Sequence, residues 1–356
     1  MPLPSPSAFP SSSHPYDWQV TRDLGVFLDR AGDFLASEPA LHTVQLTVTD
    51  ALRTRGMRVY GEEAPYFAWL TGPEGAVRAT ALRTPPYPLN LTAAAPEPAD
   101  ALAGRLAEAG EVLPGVMGPS RAAAEFAAAW ERRTGAVARL AMRQRLYRLG
   151  ALTVPEPAPP GKARLAGGGD HELLVRWYGE FCADRGAPQH DPDAWVAARL
   201  AHGGLMVWEL PDGTPVAMAG AMPKVAGQVR VAPVYTPAAL RGRGYAGAVT
   251  AEVSRAALDK GADEVLLFTD LANPTSNGLY QRIGYRPVQD FATRDFTAPA
   301  TRTATAPAAA TTPLTAPATL TATAVPCPSR PPRHAGSRAV RAAAVRRPGR
   351  TPPRPA

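Results

Sequence analysis

The sequence predicts an α/β (α+β) protein in which a mixed, mostly antiparallel sheet is flanked by helices. Apolar residues recur at helical spacing in several segments, and apolar runs of strand length lie between these segments. Short turns rich in Gly and Pro join neighbouring strands into hairpins. Apolar residues make up 45% of the 356 residues, so the chain can bury a large core and is long enough for two domains.

Composition divides the chain into five segments. Residues 1–16 are rich in Ser and Pro, and residues 298–356 consist mainly of Ala, Thr, Pro and Arg. We expect both ends to be disordered, because they cannot bury enough apolar surface to offset chain entropy. A stiff Pro-rich linker, 153–161, separates an N-terminal segment, 17–152, from a C-terminal segment, 162–297.

The basic charge belongs to the tail. The net charge is +7, but nine arginines and no acidic residue follow Thr297, which leaves −2 for the rest of the chain. The tail has no aromatic side chain on which a base could stack, so we do not expect a nucleic-acid partner. An electrostatic tether for an acidic partner stays open as an alternative to a plain disordered extension.

The sequence shows no pattern typical of a membrane span, a secretory signal, a disulfide or a cysteine metal site. No apolar run of about 18 residues occurs, so we expect no membrane span. The N-terminus lacks the basic and apolar regions of a secretory signal, which makes the cytoplasm the expected location. Cys182 and Cys327 lie in unlike contexts and predict neither a disulfide nor a metal site. The oligomeric state is left open.

The C-terminal segment begins with two predicted helices. The first has five apolar residues at helical spacing: Leu173, Leu174, Trp177, Tyr178 and Phe181. Gly186 favours its end. The second helix has Asp191 or Asp193 as a candidate cap and ends at Gly203.

Three antiparallel strands and two strand–helix pairs follow. LMVWEL and PVAMAGAM form a predicted hairpin, and QVRVAPVYT is the third strand. GYAGAVTAEVSRAALDKG predicts a helix, and EVLLFTD predicts a buried strand. A short helix opens at Asn273 and Pro274 and ends at Gly284, and YRPVQDFATRDF is the last strand.

The N-terminal segment repeats this order faintly. Two helical segments precede a hairpin around "GPEG", and ADALAGRLAEAG is helical. A helix opened by Ser120 then leads to the alternating segment VARLAMRQRLYRL. We interpret this half as a degenerate copy of the other, with VMGPSRAAAEF as the counterpart of the glycine-rich segment described next.

A glycine-rich segment, Arg241-Gly242-Arg243-Gly244-Tyr245-Ala246, joins a strand to a helix. Glycines at a helix start allow a ligand to approach the backbone, and the unpaired first-turn N–H groups favour negative charge. Arginine guanidinium groups suit phosphate oxygens. The segment therefore predicts a site for a phosphate-bearing ligand.

Pro233 lies inside the strand that precedes this segment. Proline removes a donor from the sheet, so a bulge or splay is expected there. Backbone groups of Val234 and Tyr235 would then pair with a ligand instead of a strand. Phosphates at the helix start and amides along a splayed strand together describe coenzyme A.

At this point the sequence resembles the GNAT acyl-CoA N-acyltransferases. The resemblance rests on VAPVYTPAALRGRGYAGAV and FTDLANPTSNGLYQRIGYRPV and covers about residues 160–297. Arg241, Gly244 and Ala246 match the family's pyrophosphate-loop motif. The resemblance implies a GNAT fold with two GNAT-like lobes, and acetyl-CoA as the co-substrate without a metal.

The resemblance also implies the cofactor contacts. Backbone of Val234, Tyr235 and Thr236 would bind the pantetheine arm, and the amides of Arg241 to Ala246 would bind the pyrophosphate. Asn273, Ser276 and Asn277 would line the cofactor near its thiol.

Catalytic roles are implied for four residues. Tyr280 stands where family members often carry a tyrosine that protonates the departing thiolate, although it also suits core packing. The backbone N–H of Tyr235 is a candidate oxyanion donor. Glu209 and Asp270 are candidate bases, and either is equally a surface or capping carboxylate. His190 and Asp191 are weaker candidates facing the acceptor.

The predicted activity is therefore the transfer of an acetyl group from acetyl-CoA to a primary amine on a small molecule or a protein. The alternative is a non-catalytic sensor or regulator that binds acyl-CoA. The sequence names neither the acceptor nor the length of the acyl chain.

Overall fold

The computed structural model of the chain describes residues 16–184 and 191–298. The predicted disorder of residues 1–15 and of the tail from residue 299 onward lies outside the described residues, as does His190.

The N-terminal half of the described chain alternates helices with short strands. Its elements are β1 Trp18–Thr21, α1 Leu24–Ser37, α2 Thr43–Arg55, β2 Tyr66–Thr71, β3 Val77–Arg83, β4 Leu89–Leu91, α3 Pro96–Glu108, β5 Gly115–Pro119, α4 Ser120–Thr134 and β6 Val137–Leu149. The sequence analysis missed β1, β4 and β5, which are at most five residues long.

The C-terminal half has the predicted elements plus one short edge strand, β7. Its elements are β7 Lys162–Leu165, α5 His171–Asp184, α6 Pro192–Ala201, β8 Leu205–Glu209, β9 Pro215–Ala221, β10 Gln228–Tyr235, α7 Tyr245–Asp259, β11 Glu264–Asp270, α8 Pro274–Ile283 and β12 Tyr285–Thr297. Short 3-10 turns precede α5 and follow β10.

Local chemistry sets the helix ends. The side chains of Asp23, Asp191 and Asn273 each accept a hydrogen bond from an N–H of the first turn of their helix. Gly135 and Gly284 end α4 and α8 in the left-handed conformation. The capping predictions for Asn273 and Gly284 are therefore confirmed, and Asp191 rather than Asp193 is the cap of α6.

All the described strands join a single 12-stranded sheet in the order β1-β2-β3-β4-β5-β12-β6-β11-β10-β9-β8-β7. The pairs β4–β5 and β10–β11 are parallel, and the other neighbouring pairs are antiparallel. The predicted fold class, a mixed and mostly antiparallel sheet flanked by helices, is confirmed.

The two halves exchange their last strands. The 13-residue strand β12 pairs with β5 on one side and with β6 on the other. β6, also 13 residues long, pairs in turn with β11. Each half therefore completes its sheet with a strand of the other half, and the division into two lobes stays a prediction.

Both halves follow one element order: strand, two helices, three strands, helix, strand, helix, strand. This order makes α3 the counterpart of α7, and α4 the counterpart of α8. The segment VMGPSRAAAEF covers β5 and the start of α4. Our sequence-based match of that segment to the glycine-rich segment is therefore wrong, because the true counterpart is the loop before α3.

Helices cover both faces of the sheet in each half. In the N-terminal half, α1 and α2 pack on Phe67 and Trp69, and α3 and α4 pack on the opposite face at Tyr66 and Ala68. In the C-terminal half, α5 and α6 pack on one face, and α7 and α8 pack on the other. The parallel strands β10 and β11 are thus enclosed between two helical layers.

Candidate active site

The parallel strands β10 and β11 separate part of the way along their length. They pair only from Gln228 to Arg230, opposite Glu264 to Leu266. Beyond this point β10 continues along β9, and β11 continues along β6 as far as Asp270. A gap between the two strands therefore opens after Arg230.

Pro233 lies where the gap opens. The pairing of β10 with β9 shifts its register between Val231 and Val234, which is an irregularity of the bulge type. Proline has no N–H to donate, and this removes one ladder bond from the strand. Successive residues of a strand direct their backbone groups to opposite edges, so polar groups within Val234–Thr236 face the gap.

The glycine-rich segment lies at the open end of the gap. Gly242 and Gly244 have φ angles of +78° and +86°, which side chains other than glycine adopt at a cost. The first bond within α7 runs from Ala248 N to Gly244 O, so the preceding N–H groups have no helical partner. The N–H of Arg241 already donates to Ala238 O. The available amides therefore begin at Gly242.

The two arginine side chains of this segment differ. Arg241 Nε donates to Thr236 O at 2.9 Å, and Arg241 Nη2 donates to Asp184 at 2.5 Å, so its guanidinium fixes the end of β10 against α5. Arg243 is exposed and donates to Ala239 O at 3.3 Å. Arg241 is exposed as well, but its charge is paired with Asp184, which leaves Arg243 as the arginine of this segment without an ion pair to a described residue.

Thr236 carries a buried hydroxyl group without a hydrogen-bond partner. It follows the last residue of β10, at the edge of the gap. A buried polar atom without a partner is costly in a folded protein and is explained where a ligand supplies the missing bond.

The start of α8 forms the opposite wall of the gap. Asn273 accepts from Ser276 N at 3.0 Å. The Asn277 amide donates to Asp270 O at 2.7 Å and accepts from Tyr147 Oη at 2.9 Å. Asn277 therefore ties α8 to the end of β11 and to β6.

Tyr147 is a residue that the sequence analysis missed. It is fully buried, comes from β6 of the N-terminal half, and also accepts from Gln281 Nε2 at 3.1 Å. Because β6 pairs with β11 only through the strand exchange, no local pattern in the sequence places Tyr147 beside α8.

Tyr280 lies on the inner side of α8. Its side chain is 9% exposed, and its ring meets the Tyr285 ring edge to face at 6.1 Å between centroids. It belongs to the core that α7, α8 and the central strands share. The placement suits both roles that the sequence analysis left open, a proton donor and a core aromatic.

Tyr235 turns its side chain away from α7 and towards α5. Its hydroxyl donates to Glu180 at 2.7 Å, and its ring packs near Trp177. Burial, followed by the hydrogen bond to Glu180, raises the pKa of Tyr235 to about 12. The phenol therefore stays protonated at neutral pH and acts as a donor to the carboxylate.

Glu180 is a second residue that the sequence analysis missed, and the structure brings this carboxylate to β10. The candidate base Glu209 lies instead at the end of β8, where Arg164 binds it together with Asp170. β8 is separated from β10 by β9. The structure thus does not bring Glu209 to the gap.

Asp270 lies at the rim of the gap, at the end of β11. Its side chain accepts from Ala272 N at 2.8 Å, so it stabilises the turn that leads into α8. Asp191 is occupied in a similar way as the cap of α6. Both placements favour the capping role over the role of a base.

The corresponding place in the N-terminal half is closed. The loop before α3 contains no glycine or arginine, and Glu97 puts a negative charge in the first turn. A Cβ atom at Gly118 of β5 would lie 2.5 Å from Leu91 O of β4, so the two strands approach closely here. This half therefore offers neither the gap nor the anion site.

Neither a metal site nor a membrane span is present among the described residues. No group of three or more His, Cys, Asp or Glu side chains within 16–184 and 191–298 could hold a metal ion. In the same ranges, no helix combines the length and the apolar character that a membrane span requires.

The separated parallel strands and the glycine-rich helix start lie within a segment that matches a known family. Residues 172–285 match the family model of the Acetyltransferase (GNAT) family. The C-terminal half is therefore a GNAT domain, and the members of this family are acyltransferases. The resemblance that the two sequence motifs indicated is confirmed.

Solved structures show the same fold over most of the chain. A GCN5-related N-acetyltransferase from Sphaerobacter thermophilus is 17% identical, with 78% of this chain and 94% of that chain covered and a TM-score of 0.52. An acetyltransferase from the GNAT family from Colwellia psychrerythraea is 12% identical, with 79% and 100% covered and a TM-score of 0.51. At these identities the likeness concerns the fold alone. Among curated proteins, none matches the sequence at a significant level.

Proposed function

We propose that the protein transfers an acetyl group from acetyl-CoA directly to a primary amine of a small molecule or a protein. The observation that carries the proposal is the gap between β10 and β11, which leads to the unpaired amides at the start of α7. One extended ligand with amides along its arm and phosphates at its end fits both features.

The residues present fit coenzyme A. Backbone of Val234, Tyr235 and Thr236 would pair with the pantetheine arm, and the buried Thr236 hydroxyl would gain a partner. The amides from Gly242 to Ala246 would bind the pyrophosphate, helped by the α7 dipole and the exposed charge of Arg243. Asn273, Ser276 and Asn277 would form the wall near the thiol.

Acetyl-CoA supplies a thioester, so the reaction forms a carbon–nitrogen bond and breaks a carbon–sulfur bond. A backbone N–H on the separated part of β10 would stabilise negative charge on the carbonyl oxygen. Tyr280 would return a proton to the leaving sulfur. Glu180, held by Tyr235, joins the candidates for removing the proton of the amine, because it contacts a side chain of β10 near the gap.

The first test is a calorimetric titration of acetyl-CoA into the full-length protein and into Gly244→Glu. A carboxylate at this position would repel the pyrophosphate, and the positive φ adds backbone strain. We expect binding by the wild type and at least a tenfold loss of affinity in the variant, which is about 1.4 kcal/mol.

Gly213→Glu is the matched control. Gly213 has a φ of +85° in the turn between β8 and β9, with open space around its Cα, so it carries the same strain far from the gap. It should bind acetyl-CoA as the wild type does. A folded wild type that does not bind acetyl-CoA would refute the proposal. Binding without thiol release over a broad panel of amines would instead favour the sensor.

A further inference from the structure

Arg199 and Arg230 are two cations with buried guanidinium nitrogens on the face of β10 opposite α7. Arg230 is the last β10 residue that pairs with β11, so it lies where the gap begins. Arg199 lies on α6 and packs against Met222, whose N–H donates to Arg230 O. Residues of the N-terminal half close this face, because Thr47 of α2 accepts from Arg230 Nη2 at 2.9 Å.

Both guanidinium groups have donors without acceptors. Arg230 Nη1 and Arg199 Nε are buried and have no hydrogen-bond partner. Arg199 is 7% exposed, and its Cζ lies 3.5 Å from the centre of the Trp195 ring. On the same strand face as Arg230, Gln228 Nε2 is a third buried donor without a partner.

No carboxylate of the described residues balances these charges. Arg83 and Arg105 are also buried, but Glu111 and Asp17 lie within 4 Å of them. Among the described residues, Arg199 and Arg230 have no acidic side chain within this distance. A buried cation without an anion is rare because desolvation of the charge is costly.

The neighbouring phenols do not supply the missing negative charge. Burial raises the pKa of Tyr60 and of Tyr178, so both stay neutral at physiological pH. Burial also lowers the pKa of Arg199 to about 9 and that of Arg230 to about 10. Both arginines therefore remain largely charged at neutral pH, at an electrostatic cost that a bound anion would relieve.

Aromatic side chains next to the two arginines reach the surface. Tyr178 stacks on Trp195 at 3.9 Å between ring centroids, and both rings are partly exposed. Tyr60 and Tyr87 are partly exposed as well, with their rings edge to face at 6.0 Å. The arginines thus lie beside aromatic side chains that are themselves partly open to solvent.

We infer that Arg199 and Arg230 bind the oxyanion of the acceptor, so that the acceptor is a small-molecule amine that also carries a carboxylate or a phosphate. Planar guanidinium groups suit both anions. The phosphates of coenzyme A are not this ligand. They would bind at the start of α7, which follows Thr236, and Thr236 itself lies six residues, or roughly 20 Å of extended strand, beyond Arg230. The inference rests on the proposed function and gives its acceptor a chemical class.

The test compares matched amines with acetyl-CoA as the donor and thiol release as the readout. The panel pairs amino acids with their amides, and phosphoethanolamine with ethanolamine. We expect kcat/KM for the anionic member of at least one pair to exceed that of its neutral partner by roughly 10- to 100-fold, the range of one or two charged hydrogen bonds. The pair with the larger ratio of kcat/KM shows whether the acceptor carries a carboxylate or a phosphate.

Arg199→Met and Arg230→Met should each abolish this preference, mainly by raising KM for the anionic amine. Arg53→Met is the matched control, because Arg53 lies on α2 but is exposed and paired with Asp50. Removing an unpaired buried charge should leave the melting temperature of the two variants at or above that of the wild type. The melting temperature thus distinguishes a loss of the preference for anionic amines from misfolding of the variant.

A wild type that acetylates neutral and anionic partners equally well, or an Arg230→Met variant that keeps the preference, would overturn the inference and leave the proposed function intact. If no amine in the panel reacts, thermal denaturation with the same amines decides the matter. Stabilisation of the wild type, but not of Arg230→Met, by the anionic members supports the site, and its absence refutes it. Failure of the proposed function is seen separately, as failure to bind acetyl-CoA.

Discussion

Tyr280 combines a reactive group with a packing position. Its ring fills the space between α8 and Tyr285, so Tyr280→Phe should keep the core while removing the hydroxyl. We predict unchanged acetyl-CoA affinity and a fall of turnover by about 10²- to 10⁴-fold, the usual contribution of a general acid. Calorimetry and thiol release measure the two quantities.

Tyr285→Phe is the control for this prediction. It removes a buried hydroxyl that is hydrogen-bonded to Ser254 at 2.7 Å, so it should lower stability by about 1 kcal/mol without affecting turnover. Full turnover in Tyr280→Phe would assign Tyr280 to packing alone.

At the residue scale, the sequence predicted those features of the site that are determined by residues adjacent in the chain. The spacing of Gly242 and Gly244 before an apolar helix is a local pattern, and the structure gives both residues a positive φ. Glu180, Arg199 and Tyr147 were missed because each acquires its surroundings from an element distant in sequence. A carboxylate or an arginine on a helix is usually solvated, so its type alone does not single it out.

At the element scale, the pair β6–β12 carries an ion pair where the two halves meet. Arg145 Nη2 donates to Asp290 at 2.9 Å, and this hydrogen bond is the main cause that lowers the pKa of the Asp290 carboxyl. Because this pKa is lower in the folded state than the unfolded value of 3.8, the ionised carboxyl stabilises the fold at pH values above 3.8. This stabilisation is lost as the pH falls below that value.

We therefore predict that Asp290→Asn lowers the free energy of unfolding by up to about 1 kcal/mol at pH 7, because the pair is partly exposed. The difference from wild type should shrink as the pH is lowered from 7 to about 2, through the unfolded value of 3.8, because protonation of the carboxyl removes the ion pair. Urea denaturation at both pH values measures it. Glu62→Gln, which breaks the exposed Arg58–Glu62 pair, should change little. An equal loss at both pH values would contradict the electrostatic explanation.

Element types were easier to predict than element partners. The long apolar helices and the hairpins follow from periodicity and turn residues, whereas β1, β4, β5 and β7 are too short to show a period. The alternation of β6 is visible in the sequence, but its pairing with β11 is not. Sheet register between distant segments depends on three-dimensional packing that no local pattern contains.

At the scale of the whole molecule, the exchange of β6 and β12 makes the halves depend on each other. A fragment of residues 162–298 lacks β6 and leaves the edge of β11 unpaired. A fragment of residues 16–152 lacks β12 and leaves β5 unpaired. Exposed, apolar strand edges promote aggregation.

We predict that neither fragment forms a stable monomer alone, and that co-expression restores a complex that binds acetyl-CoA. Size-exclusion chromatography and circular dichroism of the separate and combined fragments measure this. A folded, monomeric fragment 162–298 with the affinity of the full chain would show that the C-terminal half is an independent domain.

The exchanged strands also constrain how the protein matures on the ribosome. β12 is the last described strand, yet it fills a place beside β5, which is synthesised about 170 residues earlier. At typical elongation speeds of about 5–20 residues per second, the N-terminal half waits for many seconds with an open sheet edge. During this time, chaperones or a second nascent copy can occupy that edge. Synonymous codon changes that slow elongation between β6 and β12 should therefore lower the yield of soluble protein.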